Sequence, residues 1–343
     1  MRCSKLLHNS ARVCGSRNAG RWVVLACALV VGGCNGAQSA LDPAGREAER
    51  IAHLFWWMVA GAVIVWLSVV GLTVYSVRAR PELQNQRRAG LLIIGGGAVV
   101  PTVVLAVLLA YGLSMLPDLV APAPEGSLKI SVTGEQWWWR VRYEPHGAEV
   151  VVLANEIRLP VGEPVEFWLE SADVIHSFWI PPLGGKIDMI PGRLTRIALV
   201  PTKTGVFRGV CAEYCGTSHA LMSFYVEVLE KEEFDRWLAH QSAPAERAAD
   251  PLAARGQDLF LAQGCSACHT VRGTPASGVI GPDLTHVGSR LSLGAGILPN
   301  EPDTFLQWIA HTQNAKPGVQ MPNFGMLPPD ELRALAAYLE GLK

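Results

Sequence analysis

The chain has 343 residues, a length that predicts two or three domains, and its 29 Lys and Arg against 30 Asp and Glu give a formal net charge of −1. It lacks the clustered positive charge that phosphate binding requires, so no nucleic-acid partner is expected. Half of the residues are hydrophobic and only 17% are charged, which argues against a disordered chain and for a membrane-attached protein with several domains.

An export signal is predicted at the N-terminus, over residues 1–33. Basic residues precede a short apolar stretch, residues 22–31, which is too short to cross a bilayer. Gly32 and Gly33 lead into Cys34, and small residues before a cysteine resemble a bacterial lipobox. We therefore predict that Cys34 is lipidated. A plain signal peptide with an incidental cysteine is the alternative.

Two uncharged stretches, residues 54–77 and 89–116, predict a transmembrane helical hairpin within residues 34–120. As a helix, the first would be about 36 Å long, enough to cross a hydrocarbon core of about 30 Å. Buried helices of a soluble domain are the alternative. The positive-inside rule places the connecting loop, with its arginines, in the cytoplasm, so that both ends of the hairpin lie on the exported side. These arginines are Arg78, Arg80, Arg87 and Arg88.

Residues 121–235 predict an all-β domain. Apolar residues alternate with polar ones, as at Ile130 and Val132 and again at Phe224, Val226 and Val228. Glycine and proline residues lie between these predicted strands. Short alternating strands with such turns are typical of a sandwich or barrel.

Soft metal ligands concentrate in one loop of this domain. Cys211, Cys215, His219 and Met222 lie within twelve residues, and the distant His176 would come from the end of a neighbouring strand. Thiolate, imidazole and thioether ligands suit copper better than magnesium or calcium. Two cysteines could bridge two copper ions, each with its own histidine. A disulfide would leave the loop's histidine and methionine unexplained, and a zinc site would use methionine poorly.

A second redox motif follows a charged, alanine-rich linker at residues 236–250. Cys265, Cys268 and His269 form a C-x-x-C-H sequence, which attaches c-type haem. A redox disulfide or half of a zinc site is the alternative. Met321, followed by proline, is the predicted sixth ligand of the iron, and Met326 is its rival. Predicted helices near both ends of residues 251–343 indicate a small all-α domain.

These motifs together resemble a known family, subunit II of haem-copper cytochrome c oxidases with its binuclear CuA centre. The loop from Cys211 to Met222 matches Cys-x-Glu-x-Cys-Gly-x-x-His-x-x-Met, and residues 134–139 match the family's tryptophan-rich strand. Residues 176–181 and the following Lys186 and Asp188 also fit. The hairpin and β domain resemble the family over about residues 40–235. Residues 251–343 resemble class I cytochromes c, a fusion found in caa-type oxidases.

The resemblance implies a cupredoxin-like fold for the β domain and a role for each matching residue. Cys211 and Cys215 would bridge the coppers, with His176 and His219 as terminal ligands. Met222 and the carbonyl of Glu213 would be weak ligands. The remaining implied roles are a magnesium site shared with subunit I at the Glu213 side chain, electron input at Trp137, covalent haem attachment at Cys265 and Cys268, and axial haem ligation by His269 and Met321.

The implied function is electron input to an oxidase in the bacterial plasma membrane, with both soluble domains on the periplasmic side. Electrons from cytochrome c would reach the chain's own haem, then CuA, then subunit I, where oxygen is reduced and protons are pumped; subunit III is a further expected partner. Nitric or nitrous oxide reductases also use CuA-like domains, and a copper-delivery or thiol-redox protein is a rival from another class. One departure is that residues 88–94 hold no acid where many relatives carry a glutamate near a proton path.

Overall fold

The computed structural model describes residues 35–78, 86–145, 147 and 149–343. The predicted export signal, Cys34 and most of the loop between the membrane helices lie outside the described residues.

Two long apolar helices come first. Helix α1 spans Arg46–Arg78. The second long helix consists of α2 (Gln86–Leu91), a π-helical segment (Leu92–Val99) and α3 (Val100–Val120). The segments Arg46–Arg78 and Ala89–Val120 are long and apolar enough to cross a membrane, and the apolar window of each is not buried by the rest of the chain. An ion pair between Arg50 and Asp118, 2.7 Å long, joins the end of the hairpin nearest the β domain.

Helix α1 begins at Arg46, before the uncharged stretch, because its first turns pack on the β domain. Ala48 and Ala52 are buried there. The carboxylate of Glu47 accepts a hydrogen bond from the backbone N–H of Val200 at 3.0 Å. A β-carbon on Gly45 would lie 2.4 Å from the carbonyl oxygen of Leu183, so only glycine permits this approach. The hairpin therefore holds the β domain directly rather than through a free linker.

The β domain is a sandwich of two five-stranded sheets, in the orders β3-β2-β1-β5-β8 and β4-β10-β9-β6-β7. Strands β1 and β5 pair in parallel, as do β4 and β10, and the other neighbours pair antiparallel. The strands are β1 (Leu128–Glu135), β2 (Trp138–Glu144), β3 (Val151–Ala154), β4 (Glu156–Pro160), β5 (Val165–Ser171), β6 (His176–Trp179), β7 (Ile187–Met189), β8 (Thr195–Leu199), β9 (Gly205–Cys211) and β10 (Ser223–Leu229).

The core of the sandwich is aromatic. Phe178 and Phe224 stack with ring centroids 5.1 Å apart, and Trp139 meets Phe224 edge-on at the same centroid distance. All three are essentially inaccessible to solvent. Aromatic pairs of this kind contribute about 0.5–1.5 kcal/mol beyond the area that they bury. They lie on β2, β6 and β10, directly beneath the loop that carries the predicted copper ligands.

The C-terminal domain is helical. Helix α4 (Lys231–Ser242) packs on the sandwich, and the domain proper contains α5 (Pro251–Ala262), the short strands β11 (Ser292–Leu293) and β12 (Leu298–Pro299), α6 (Pro302–Ala310), α7 (Thr312–Ala315) and α8 (Pro329–Gly341). Phe260 on α5 meets Tyr338 on α8 with ring centroids 5.6 Å apart. The predicted order of apolar hairpin, β sandwich and helical domain is confirmed. The predicted domain boundaries remain predictions.

Candidate functional site

Strand pairing brings His176 to the cysteine loop. Cys211 is the last residue of β9, and the loop to β10 carries Cys215, His219 and Met222. Strand β6 pairs with β9, with Phe178 opposite Cys211, so His176 at the start of β6 lies beside the beginning of the loop. Cys211 at the end of β9, three residues of the following loop and one residue of a neighbouring strand therefore meet at one edge of the sandwich.

Two sulfur atoms lie at the centre of this cluster. The Sγ atoms of Cys211 and Cys215 are 3.8 Å apart, about twice the length of a disulfide bond, and both thiols are free. The ligand atoms of His176, Cys211 and Cys215 lie within 4.8 Å of one another. The other contacts are His176 Nδ1 to Cys211 Sγ at 3.8 Å, His219 Nδ1 to Cys215 Sγ at 3.5 Å, Met222 Sδ to Cys215 Sγ at 3.8 Å, and Cys211 Sγ to the Glu213 carbonyl at 3.2 Å.

The electrostatics of the two thiols favour a bound cation. The contact with Cys215 lowers the pKa of the Cys211 thiol to about 3, and the bond with His176 adds to this effect. The contact with Cys211 and burial raise the pKa of Cys215. Cys211 therefore loses its proton readily. Cys215 then keeps its proton, because two thiolates at this distance would repel each other. A metal ion between them would remove that repulsion.

His176 is fixed in orientation by its surroundings. Its Nε2 lies 2.8 Å from the carboxylate of Asp173, which leaves Nδ1 facing the sulfurs. Burial lowers the pKa of His176, but the contacts with Cys211 and Asp173 outweigh burial and raise it. A β-carbon on Gly134 would lie 2.8 Å from the imidazole ring, so glycine is required there. Sequence reasoning did not assign a role to Asp173, although an acid three residues before a metal-site histidine was a usable signal.

Trp137 and Gln136 form hydrogen bonds to the backbone of the cysteine loop. The indole Nε1 of Trp137 and the amide Nε2 of Gln136 donate to the carbonyl of Cys215, at 3.1 Å and 2.7 Å. Trp137 is only 7% exposed. The tryptophan that the sequence pointed to thus contacts the backbone of a predicted bridging cysteine.

The Glu213 side chain points away from the sulfurs. Its carboxylate is about half exposed and lies 3.7 Å from the Lys186 ammonium, which also pairs with Asp188 at 2.9 Å. Glu213 can therefore offer its backbone oxygen to the cluster and its carboxylate to a neighbouring subunit.

The haem motif lies in a cavity of about 410 Å³. Cys265, Cys268, His269 and Met321 all line it. The Nδ1 of His269 donates to the carbonyl of Pro282 at 2.7 Å, which leaves Nε2 free to ligate iron. Burial lowers the pKa of His269, which favours the neutral imidazole that ligates a metal. Met326 is 77% exposed and is not among the residues that line the cavity, which favours Met321.

One side of this cavity belongs to the β domain. Trp137 and Trp138 line it together with the haem-motif residues. The loop before Met321 touches the cysteine loop, since the hydroxyl of Ser218 donates to the carbonyl of Pro317 at 2.6 Å. A β-carbon on Gly318, which has φ +83°, would lie 2.9 Å from the Trp137 ring. Trp137 therefore lies between the two candidate redox centres.

A buried carboxylate also joins the domains. Glu156, 5% exposed, accepts hydrogen bonds from the backbone N–H of Leu291 at 2.6 Å and from Arg158 Nε at 3.1 Å. Ser223 adds a backbone bond to the carbonyl of Ala295 at 3.1 Å. Burial raises the pKa of Glu156, while the Arg158 charge opposes the shift. Nothing in the sequence pattern distinguished Glu156 from other strand-edge acids.

Comparison with known proteins decides the family. Residues 128–229 match the family model for the periplasmic domain of cytochrome c oxidase subunit II, and residues 253–343 match that for cytochrome c. The cytochrome c oxidase subunit 2 of Alkalihalophilus pseudofirmus is 35% identical over 336 residues, which cover 92% of this chain and 94% of that relative. The chain belongs to the cytochrome c oxidase subunit 2 family.

A second relative agrees with this membership. The cytochrome c oxidase subunit 2 of Bacillus subtilis is 32% identical over 263 residues, covering 74% of this chain and 71% of the relative. The crystal structure of the periplasmic domain of subunit II from Bradyrhizobium japonicum is 36% identical and covers 35% of this chain and 96% of that one, at a TM-score of 0.32. Family membership favours an oxidase subunit over the reductase and copper-delivery alternatives.

Proposed function

We propose that this chain admits electrons to a haem-copper oxidase, taking them from cytochrome c through its own c-type haem and binuclear copper centre and passing them to subunit I. Oxygen reduction and proton pumping then belong to subunit I, with subunit III as a further partner. The chain would lie in the bacterial plasma membrane with both soluble domains on the periplasmic side. The observation that carries the proposal is the position of Trp137, which lines the haem cavity and donates to the carbonyl of Cys215.

The residues present fit a binuclear copper centre. Cys211 and Cys215 would bridge the ions, His176 and His219 would be the terminal ligands, and Met222 would be a weak ligand. The carbonyl of Glu213 would be the second weak ligand, and its carboxylate would hold magnesium with subunit I. Copper bound in this way would supply one-electron transfer, and the hydrogen bonds from Gln136 and Trp137 to Cys215 would help to hold the loop in place.

The residues around the cavity fit a c-type haem. Cys265 and Cys268 would form the thioether links, and the Pro282 carbonyl would orient His269 toward the iron. Met321 would complete the ligation. A thioether ligand would favour a high reduction potential.

The first test is spectroscopic, on the full-length chain produced in a haem-attaching host and supplied with copper. An EPR signal split by two equivalent copper nuclei, beside a low-spin haem signal, is expected. A single-copper pattern would contradict the bridging role of Cys211 and Cys215. Met321→Leu is expected to abolish thioether ligation of the haem, and Met326→Leu, its matched control, is expected to leave the haem spectrum unchanged.

The second test follows electron transfer between the two centres after rapid reduction of the haem. Trp137→Phe keeps an aromatic side chain but removes the indole N–H bond to the carbonyl of Cys215, and we expect a slower rate. Trp168→Phe is the matched control, because its indole N–H bonds to Glu166, within its own strand. Equal rates in the two variants would contradict the proposed role of Trp137.

A further inference from the structure

Lys316 is a buried cation in the loop that leads to Met321. It is 2% exposed, and its ammonium donates to the carbonyl of Gly294 at 2.8 Å. Among the described residues, no carboxylate lies within ion-pair distance of it. An ammonium removed from water without a compensating charge is costly, so such a group normally has an anionic partner.

The charges around the haem cavity do not balance. Its two lining carboxylates already have partners in the β domain: Glu135 pairs with Arg140 at 2.6 Å, and Asp173 bonds to His176 at 2.8 Å. The two lining cations are Arg290 and Lys316. Arg290, like Lys316, has only a carbonyl acceptor among the described residues, that of Asp283, and the nearby carboxylates of Glu156 and Asp283 pair with Arg158 and Arg272 instead. The cavity is therefore lined by two cations that have no ion-pair partner among the described residues, and a haem carries two propionates.

We propose that Lys316 is the counter-ion of one haem propionate. The inference rests on the proposed binding of haem c in this cavity. Lys316 would be a positioning residue, because it would act on the haem through its propionate and not on the iron.

The position of Lys316 links this ion pair to the loop from Cys211 to Met222, which we call the copper loop. The next residue, Pro317, accepts a hydrogen bond from Ser218, and Gly318 packs on the Trp137 ring. An ion pair at Lys316 would therefore tie the propionate edge of the haem to the segment that contacts the β domain. Loss of the positive charge would leave a propionate unpaired, which would stabilise the oxidised haem and lower its reduction potential.

The test is Lys316→Met in the full-length chain with haem attached and copper bound. Spectroelectrochemistry of the haem from about pH 5 to 8 measures its midpoint potential. We expect the ratio of reduced to oxidised haem at a fixed potential to fall about tenfold, which is about 59 mV for a one-electron couple. We also expect a new pH dependence, because an unpaired propionate would titrate with the redox change. Lys343→Met, at an exposed position of the same domain, is the matched control.

The outcomes are distinct. Absence of covalent haem from the parent chain would overturn the proposed function itself. A parental potential with unchanged pH dependence in Lys316→Met, with haem attached, would overturn the ion pair alone. If Lys316→Met does not bind haem, infrared difference spectra of the parent with isotope-labelled propionates decide the matter. Two ionised propionates across this pH range support the proposal, and a protonated one contradicts it.

Discussion

The two candidate redox centres are built in different ways. The copper loop takes its ligands from one short turn between β9 and β10 and from one adjacent strand, and its sulfurs are already in contact. The haem site is a cavity of about 410 Å³ whose lining comes from distant parts of the chain, including the β domain. The copper loop rests on a core that is complete without metal, whereas the core of the cytochrome domain borders a large cavity. Loss of the cofactor should therefore affect the two domains very differently.

The largest expected effect is loss of haem. In Cys265→Ala with Cys268→Ala, a cavity of about 410 Å³ would stay unfilled. At about 24 cal/mol per Å³, the upper limit of the cost is about 10 kcal/mol, which matches the whole stability of a typical domain. We expect hydrogen exchange over residues 253–343 to lose its protection while the β domain keeps its own.

The matching change at the copper loop is Cys211→Ala with Cys215→Ala. Because the aromatic core beneath the loop needs no metal, we expect the sandwich to keep its protection against exchange. Equal loss of protection in both double variants would contradict the contrast between the two centres.

The next effect concerns the orientation of His176. Asp173→Asn weakens the contact that turns Nδ1 toward the sulfurs, and we expect copper affinity to fall about 10–100-fold. Competition with a copper chelator measures this change. Asp258→Asn, at an exposed position on α5, is the control and should leave copper affinity unchanged. Unaltered affinity in the Asp173 variant would show that the protein core alone orients the ring.

The contact between the two centres can be tested at Gly318. Gly318→Ala places a β-carbon 2.9 Å from the Trp137 ring at φ +83°, whereas Gly126, with φ +84°, has nothing within 4 Å. The backbone cost of a positive φ is common to both variants, so the difference between them isolates the clash. We expect Gly318→Ala to lower the free energy of unfolding by about 1–3 kcal/mol more than Gly126→Ala, measured by denaturant titration. Equal losses of unfolding free energy in the two variants would mean that the loop before Met321 can move away from the Trp137 ring at little cost.

The smallest expected effect lies at the exposed pair between Arg255 and Asp330, which joins α5 to α8 at 2.7 Å. The bond to Arg255 lowers the pKa of Asp330 below its ordinary value of 3.8. A carboxyl with a lowered pKa stabilises the fold above its ordinary pKa, and this contribution is lost as the pH falls through the lowered pKa. Asp330→Asn should lower the melting temperature slightly near neutral pH, and the difference should vanish in acid. A difference that persists in acid would assign the effect to helix α8 itself.

Much of the architecture could be predicted from local patterns. The uncharged stretches, the alternating strands and the C-x-x-C-H motif each act through short-range chemistry, and the structure has the corresponding helices, sheets and cavity. The start of α1 at Arg46 could not be predicted, because those first turns are held by Leu183 and Val200, which are distant in sequence. Lys316 and Glu156 were missed for the same reason, since burial of a charged side chain depends on what packs over it.

The sequence by itself determined which chemistry this protein carries, because ligand type and spacing follow from consecutive residues: the cysteine, histidine and methionine loop, the haem attachment motif and the two apolar helices. Only the tertiary structure decided how those parts face one another. The pairing of β6 with β9 brings His176 to Cys211, and the docking of the Met321 loop on the β domain places Trp137 between the two centres. Both arrangements arise from contacts between residues far apart in the chain, where local sequence patterns carry no distance information.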